Sequence, residues 1–113
     1  MEKQSAISAL AALAQETRLD VFRVLVQAGP EGLPAGAIGD VLGVPSATLS
    51  FHLKELKSAG LVRCERQGRS RIYSPDLSAV NELVAFLTAN CCRGVDGSGS
   101  DGEGCDPDNR ADG

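Results

Sequence analysis

"GVPSATLSFHLKELKSAGLVRCERQGRSRIYS", residues 43–74, is the stretch whose reading decides the fold. Leu49, Leu53 and Leu56 stand at i, i+4 and i+7, which predicts a helix with one apolar stripe, closed by Gly60. Just upstream, "AGAIGDVL" (residues 35–42) predicts a shorter helix burying Ile38, Val41 and Leu42, with Gly43 ending it in the left-handed conformation. Two short helices across a tight glycine turn make a helix-turn-helix. Downstream, "LVRCE" and "RIYS" read as two strands around "RQGRS", where Gly68 permits the positive φ of a hairpin turn. A helix-turn-helix followed by a basic hairpin is a winged helix.

Working outward, Ile7, Leu10, Leu13 and Ala14 recur at helical spacing and predict a first helix over residues 4–14. "TRLD" (residues 17–20) has capping-box form, with Leu19, Phe22 and Val26 as the expected buried stripe of a second helix that "AGPEGLP" stops. Ser74, Pro75 and Asp76 read as cap, proline and acid at the start of a last helix. That helix carries Leu77, Val80, Leu83, Val84 and Leu87, more apolar surface than one small core consumes. With the apolar first helix, the surplus predicts a homodimer interface. The expected fold is therefore α+β and mainly α, a winged helix-turn-helix in the order α-α-α-α-β-β-α.

At 113 residues, with 42% hydrophobic residues but three Phe, one Tyr and no Trp, the chain has material for one domain with an aliphatic core. No run approaches the ~20 apolar residues of a membrane-spanning helix. "AISALAALA" near the start is broken by Ser8 and passes straight into polar "QETR", so a secretory signal is not expected and the cytoplasm is the expected location. The net charge of -4 hides an uneven distribution: residues 1–93 hold ten bases against nine acids, and residues 94–113 one against six. Residues 1–93 are thus expected to form the folded, DNA-binding and dimerising domain. Residues 94–113, where five of the first eleven are glycine, are expected to be a flexible acidic tail.

Because the leucines of the long helix face the core, its opposite face should present Ser46, Thr48, Ser50, Phe51 and His52, flanked by Lys54 and Lys57. Hydroxyls and an imidazole hydrogen-bond base edges or phosphates, and an aromatic edge meets a thymine methyl. Arg66, Arg69 and Arg71 around the hairpin would reach phosphate or an adjacent minor groove. A polar helix face alone is commonly just a solvated side. Here the helix pair, the glycine turn and the basic wing occur together and in order, which points to operator DNA as the partner. His52 is the only histidine, so it cannot join a histidine-pair metal site; a partly buried hydrogen-bonding role is the alternative.

"TRLDVFRVL", "ATLSFHLKELKSAGLV" and "ERQGRSRIYS" resemble the ArsR/SmtB family of bacterial metal- and metalloid-responsive repressors, over about residues 5–90. The resemblance implies a homodimer joined through the first and last helices and release from operator DNA on inducer binding. It also carries DNA contacts onto Thr48, Ser50, Phe51 and His52. Pro45 and Ser46 depart from the commonest residues at the helix start.

Two inducer sites known in the family are absent. Arsenic repressors often carry Cys-x-Cys at the start of the third helix, where this chain has "PAGAIG", and zinc sensors use histidines on the last helix, which has none here. What remains is Cys91, Cys92 and Cys105, which resembles the subgroup of arsenic repressors with a vicinal pair after the last helix and a further cysteine in the tail. The chemistry suits trivalent arsenic, as arsenite or methylarsenite, or antimonite, because soft thiolates select soft centres. Cys91 and Cys92 would supply two sulfurs. Cys105 would fold back as a third, at a loop-closure cost that grows by only ~0.6 kcal/mol per doubling of length. A methylated species would need the pair alone. Cys64 reads as a strand residue packed like a small hydrophobe. The alternatives are a thiol redox switch and a zinc or cadmium sensor, the latter needing a fourth ligand. No Cys-x-x-Cys, anion cradle or partnered base is visible, so no enzyme and no organic cofactor are expected.

Overall fold

The computed structural model describes residues 1–94, so Cys105 and the tail expected from residue 94 onward lie, Gly94 apart, outside the described residues. Five helices and three strands follow in the order α1 (Lys3–Leu13), α2 (Glu16–Ala28), β1 (Leu33–Pro34), α3 (Ala35–Leu42), α4 (Ser46–Ser58), β2 (Val62–Gln67), β3 (Ser70–Pro75) and α5 (Leu77–Leu87). This is the expected mainly helical winged helix-turn-helix, with one strand more than the sequence predicted. The sheet is antiparallel in the order β1-β3-β2. β1 pairs Leu33 with Tyr73 and Pro34 with Ile72, and two residues are too few to show an alternating pattern.

Leu25, Ile38, Leu49, Leu53, Leu56, Leu61 and Val21 are the fully buried large side chains, so the core lies where α2, α3, α4 and the base of β2 meet. The α4 stripe of Leu49, Leu53 and Leu56 is as expected. Gly43 caps α3 at φ 67 and ψ 33, in the left-handed region that turns the chain into α4.

Several local readings change. α1 forms where the apolar spacing predicts it; it buries Ala6, Ala9 and Ala12 against the protomer's core and leaves Ile7 and Leu10 exposed. Alanines three apart let α1 lie close against its neighbours, where longer side chains would hold it off. α2 starts before Thr17: Gln15 is the cap, its side-chain oxygen accepting from Arg18 N–H at 2.8 Å. Thr17 is therefore already helical, and the buried residues are Val21, Phe22 and Leu25, while Leu19 and Val26 are exposed. In α3 only Ile38 is fully buried; Val41 faces out. Pro75 belongs to β3, paired with Val62, and Asp76 itself caps α5 by accepting from Ala79 N–H at 3.2 Å. Asp76 also meets Arg63 at 3.6 Å and donates its backbone N–H to Leu61 O at 2.8 Å, tying the base of the wing to the start of α5.

Candidate nucleic-acid interface and thiol pair

α4 begins at Pro45 and carries no side-chain cap, so its first-turn N–H groups are left for solvent or a ligand. Ser46, Thr48, Ser50, Phe51, Lys54 and Lys57 are all exposed along it. His52 is not among them. It is buried, with its Nδ1 3.4 Å from Nη1 of Arg18 and its ring 5.5 Å from that of Phe51, edge to face. The structure thus puts His52 beneath the exposed face that was expected to include it, in the hydrogen-bonding position weighed as its alternative.

The β2–β3 hairpin projects the wing. Arg66 stands directly opposite Arg71, and Arg69 follows Gly68 (φ 63) in the turn; all three arginines are exposed. Like charges in register oppose folding of a strand pair. Lower on the same strands, Cys64 pairs with Tyr73 and is half-buried. Burial first, and Cys64 second, push the Tyr73 phenol above its ordinary value, while Arg71 opposes the shift. Tyr73 is therefore a neutral, hydrogen-bonding support under the wing.

Beyond α5 the chain turns. Thr88 Oγ1 donates to Val84 O at 2.8 Å, and Cys91 N–H donates to Thr88 O at 3.1 Å. Asn90 and Cys92 have φ of 60 and 65, left-handed values that cost a cysteine more than an asparagine. This turn leaves both cysteines exposed with their sulfurs 3.1 Å apart. Cys91 is a free thiol, whereas Cys92 is disulfide-bonded. Among the described residues no group of three or more His, Cys, Asp or Glu side chains is gathered to hold a metal ion. Nor is any described helix long and apolar enough to cross a membrane.

One participant escaped the sequence reading. Arg18, in "TRLD", donates from Nε to Ala12 O at 2.8 Å while its guanidinium carbon lies 5.9 Å from the Phe51 ring centroid. Nothing local signals this, because Arg18 and His52 are 34 residues apart.

The family model described as "Helix-turn-helix domain" matches residues 13–65, which run from the end of α1 into β2. The uncharacterized HTH-type transcriptional regulator YceK of Bacillus subtilis is 35% identical over 63 residues, 56% of this chain and 62% of its own length. YbzH of the same organism, also an uncharacterized HTH-type transcriptional regulator, is 32% identical over 72% of this chain and 93% of its own. The Halobacterium salinarum protein named "Putative arsenical resistance operon repressor ArsR" is 35% identical over 71% of this chain and 61% of its own. Among solved structures, an ArsR-like transcriptional regulator from Rhodococcus sp. RHA1 superposes with a TM-score of 0.69 at 23% identity, over 96% of this chain and 88% of that one. The homodimeric winged helix-turn-helix DNA-binding domain Mb0332 from Mycobacterium bovis gives 0.63 at 27% identity, over 75% and 77%. These relatives are regulators rather than enzymes, and YbzH, matched over 93% of its own length, together with the five-helix winged fold places the chain among the helix-turn-helix transcriptional regulators.

Proposed function

We propose that this regulator is an arsenic-responsive repressor: a cytoplasmic homodimer that occupies operator DNA and leaves it when trivalent arsenic binds Cys91, Cys92 and Cys105. Residues 1–93 would be the DNA-binding and dimerising unit, with residues 94–113 bringing the third thiol. The uncapped N-terminus of α4 and the hydroxyls of Ser46, Thr48 and Ser50 suit entry into a major groove, with phosphates gripped by Lys54, Lys57, Arg66, Arg69 and Arg71. Dimerisation through α1 and α5 is supported by the exposed Ile7, Leu10, Val84 and Leu87 and by the homodimeric relative.

The observation that carries the metalloid reading is the exposed sulfur pair at 3.1 Å, close enough for both thiolates to bond one soft centre once the Cys92 disulfide is reduced. The Halobacterium relative's name, which speaks of arsenical resistance, supports the same reading. Trivalent arsenic here is the signal, held by three sulfurs as arsenite or by the pair alone as methylarsenite. The same disulfide favours a second reading, in which oxidation itself is the signal.

Fluorescence anisotropy on the protein's own promoter DNA separates the two. Reduced protein should be released by arsenite or methylarsenite, and Cys91→Ser should bind DNA but not release. Release by peroxide, reversed by dithiol, with indifference to arsenicals would establish the redox reading. Indifference to both would leave zinc and cadmium to be titrated.

A further inference from the structure

We propose that Arg18 is a positioning residue for DNA recognition, a strut from α2 that sets the Phe51 ring and the His52 imidazole of α4. The inference rests on the reading of α4 as the DNA-facing helix. Three contacts meet on one guanidinium. Nε donates to the carbonyl of Ala12 near the end of α1, Nη1 lies 3.4 Å from His52 Nδ1, and the guanidinium carbon sits 5.9 Å from the Phe51 centroid. The Arg18 backbone is itself held, since its N–H donates to the Gln15 side chain at 2.8 Å.

Each end of the strut has a distinct consequence. A guanidinium has no acceptor, so Nδ1 of His52 must accept from it, which leaves the ring proton on Nε2. His52 is buried, so its orientation is set by this contact and by packing. Phe51 is different: its side chain is exposed at 55% and lacks a packed bed, and the ring is held from below by the Arg18 cation and beside by the His52 edge. An unheld aromatic would have to give up rotamer freedom on meeting a base, and Arg18 removes that cost in advance. Lysine would keep the charge but lacks the planar fork that reaches Ala12 O and the two rings together.

The test combines DNA affinity with a spectroscopic signature. His52 is the only histidine, so a long-range ¹H–¹⁵N spectrum shows one imidazole. In the native protein it should show the Nε2–H tautomer with Nδ1 as acceptor. Arg18→Lys should move the Nδ1 resonance and weaken promoter binding about tenfold, about 1.4 kcal/mol, with a thermal midpoint close to the native one. Phe51→Leu should cost several-fold in the native background and much less in Arg18→Lys, because the ring is already loose there. A native tautomer unchanged by Arg18→Lys, or additive effects of the two substitutions on DNA binding, would overturn the proposal. If Arg18→Lys folds poorly, Phe51→Leu alone supplies the second reading, since loss of the overlying ring should shift the His52 signal through the shared contact. Native protein that fails to bind promoter DNA but shows the expected His52 signature would remove the DNA reading while leaving the strut in place.

Discussion

Replacing Gly32 with alanine should cut strand β1 loose. Gly32 sits at φ 78, where an L-residue pays ~1–2 kcal/mol. A Cβ there would also collide with the Tyr73 carbonyl oxygen and come within 2.9 Å of Ile72 Cγ2 and 3.1 Å of the Tyr73 carbonyl carbon. Two of those atoms are backbone of β3, so no side-chain rotation relieves the contact, and β1 must move away from Tyr73 and Ile72, its register partners. Losing that pairing forfeits about 1 kcal/mol per hydrogen bond. The sum is about 3 kcal/mol. Gly43→Ala is the control, because Gly43 has a similar φ of 67 but nothing within 4 Å of the added carbon, and it should lose only the conformational part. In urea, with a slope of roughly 1–2 kcal/mol/M for a domain this small, Gly32→Ala should lower the midpoint by about 2 M and Gly43→Ala by about half as much. Protein concentration must be held fixed, since the midpoint of the proposed dimer would depend on it. Equal losses in the two variants would show that strand β1 gives way freely and that the close approach of Gly32 to β3 does not matter.

Other consequences can be measured alongside. Leu53→Ala, at a site 1% exposed in the middle of the α4 stripe, should cost about 2–5 kcal/mol in the same urea titration. The Asp76 carboxyl is held below its ordinary value, first by the Ser78 hydroxyl and then by the Ala79 N–H and Arg63, against an opposing effect of burial. A depressed folded value means stability that is present above about pH 4, the unfolded carboxyl's range, and lost as pH falls through the folded value. Asp76→Asn should therefore narrow the gap to native stability as the pH is taken below about 4, and a gap that stays constant down to acid unfolding would count against the cap–ion-pair account. Arg69→Gln at the wing tip should weaken promoter binding and lower the slope of log affinity against log salt by about 1, with little change in stability.

How far the sequence revealed this structure depended on whether each helix offered one apolar stripe or two. α4 offers one: Leu49, Leu53 and Leu56 share a face, and Phe51 is the single large hydrophobe off it, so the core and, His52 apart, the exposed side were legible. α1 offers two, Ile7 with Leu10 and Ala6 with Ala9 and Ala12; the spacing announced the helix, but which stripe meets the protomer's own core was not legible, because close helix approach favours alanine. α2 carries overlapping stripes that share Phe22, and the buried set is Val21, Phe22 and Leu25. β1 was invisible because its pairing rests on Gly32 meeting β3, a contact between residues some 40 apart in sequence. The Arg18–His52–Phe51 cluster was hidden for the same reason.

The two stripes of α1 bear on how a signal at the thiols could reach DNA. With its alanines turned inward, α1 offers Ile7 and Leu10 to the outside, and α5 offers Val84 and Leu87 there, while only Leu83 of α5 is fully buried. A second copy of the chain covering these faces would account for apolar surface that one protomer leaves bare. Cys91 and Cys92 follow four and five residues after Leu87, so on that reading they stand at the rim of the dimer interface, whereas α4 and the wing belong to the DNA face. A ligand that closes on the sulfur pair constrains a turn already holding Asn90 and Cys92 at positive φ. In the proposed dimer its effect would then reach the two recognition helices through the placement of one protomer against the other. On the proposed arsenic reading, a coupling of about 1–3 kcal/mol would be enough for release at modest DNA affinity, and reciprocity would require bound operator to weaken arsenic binding by the same factor.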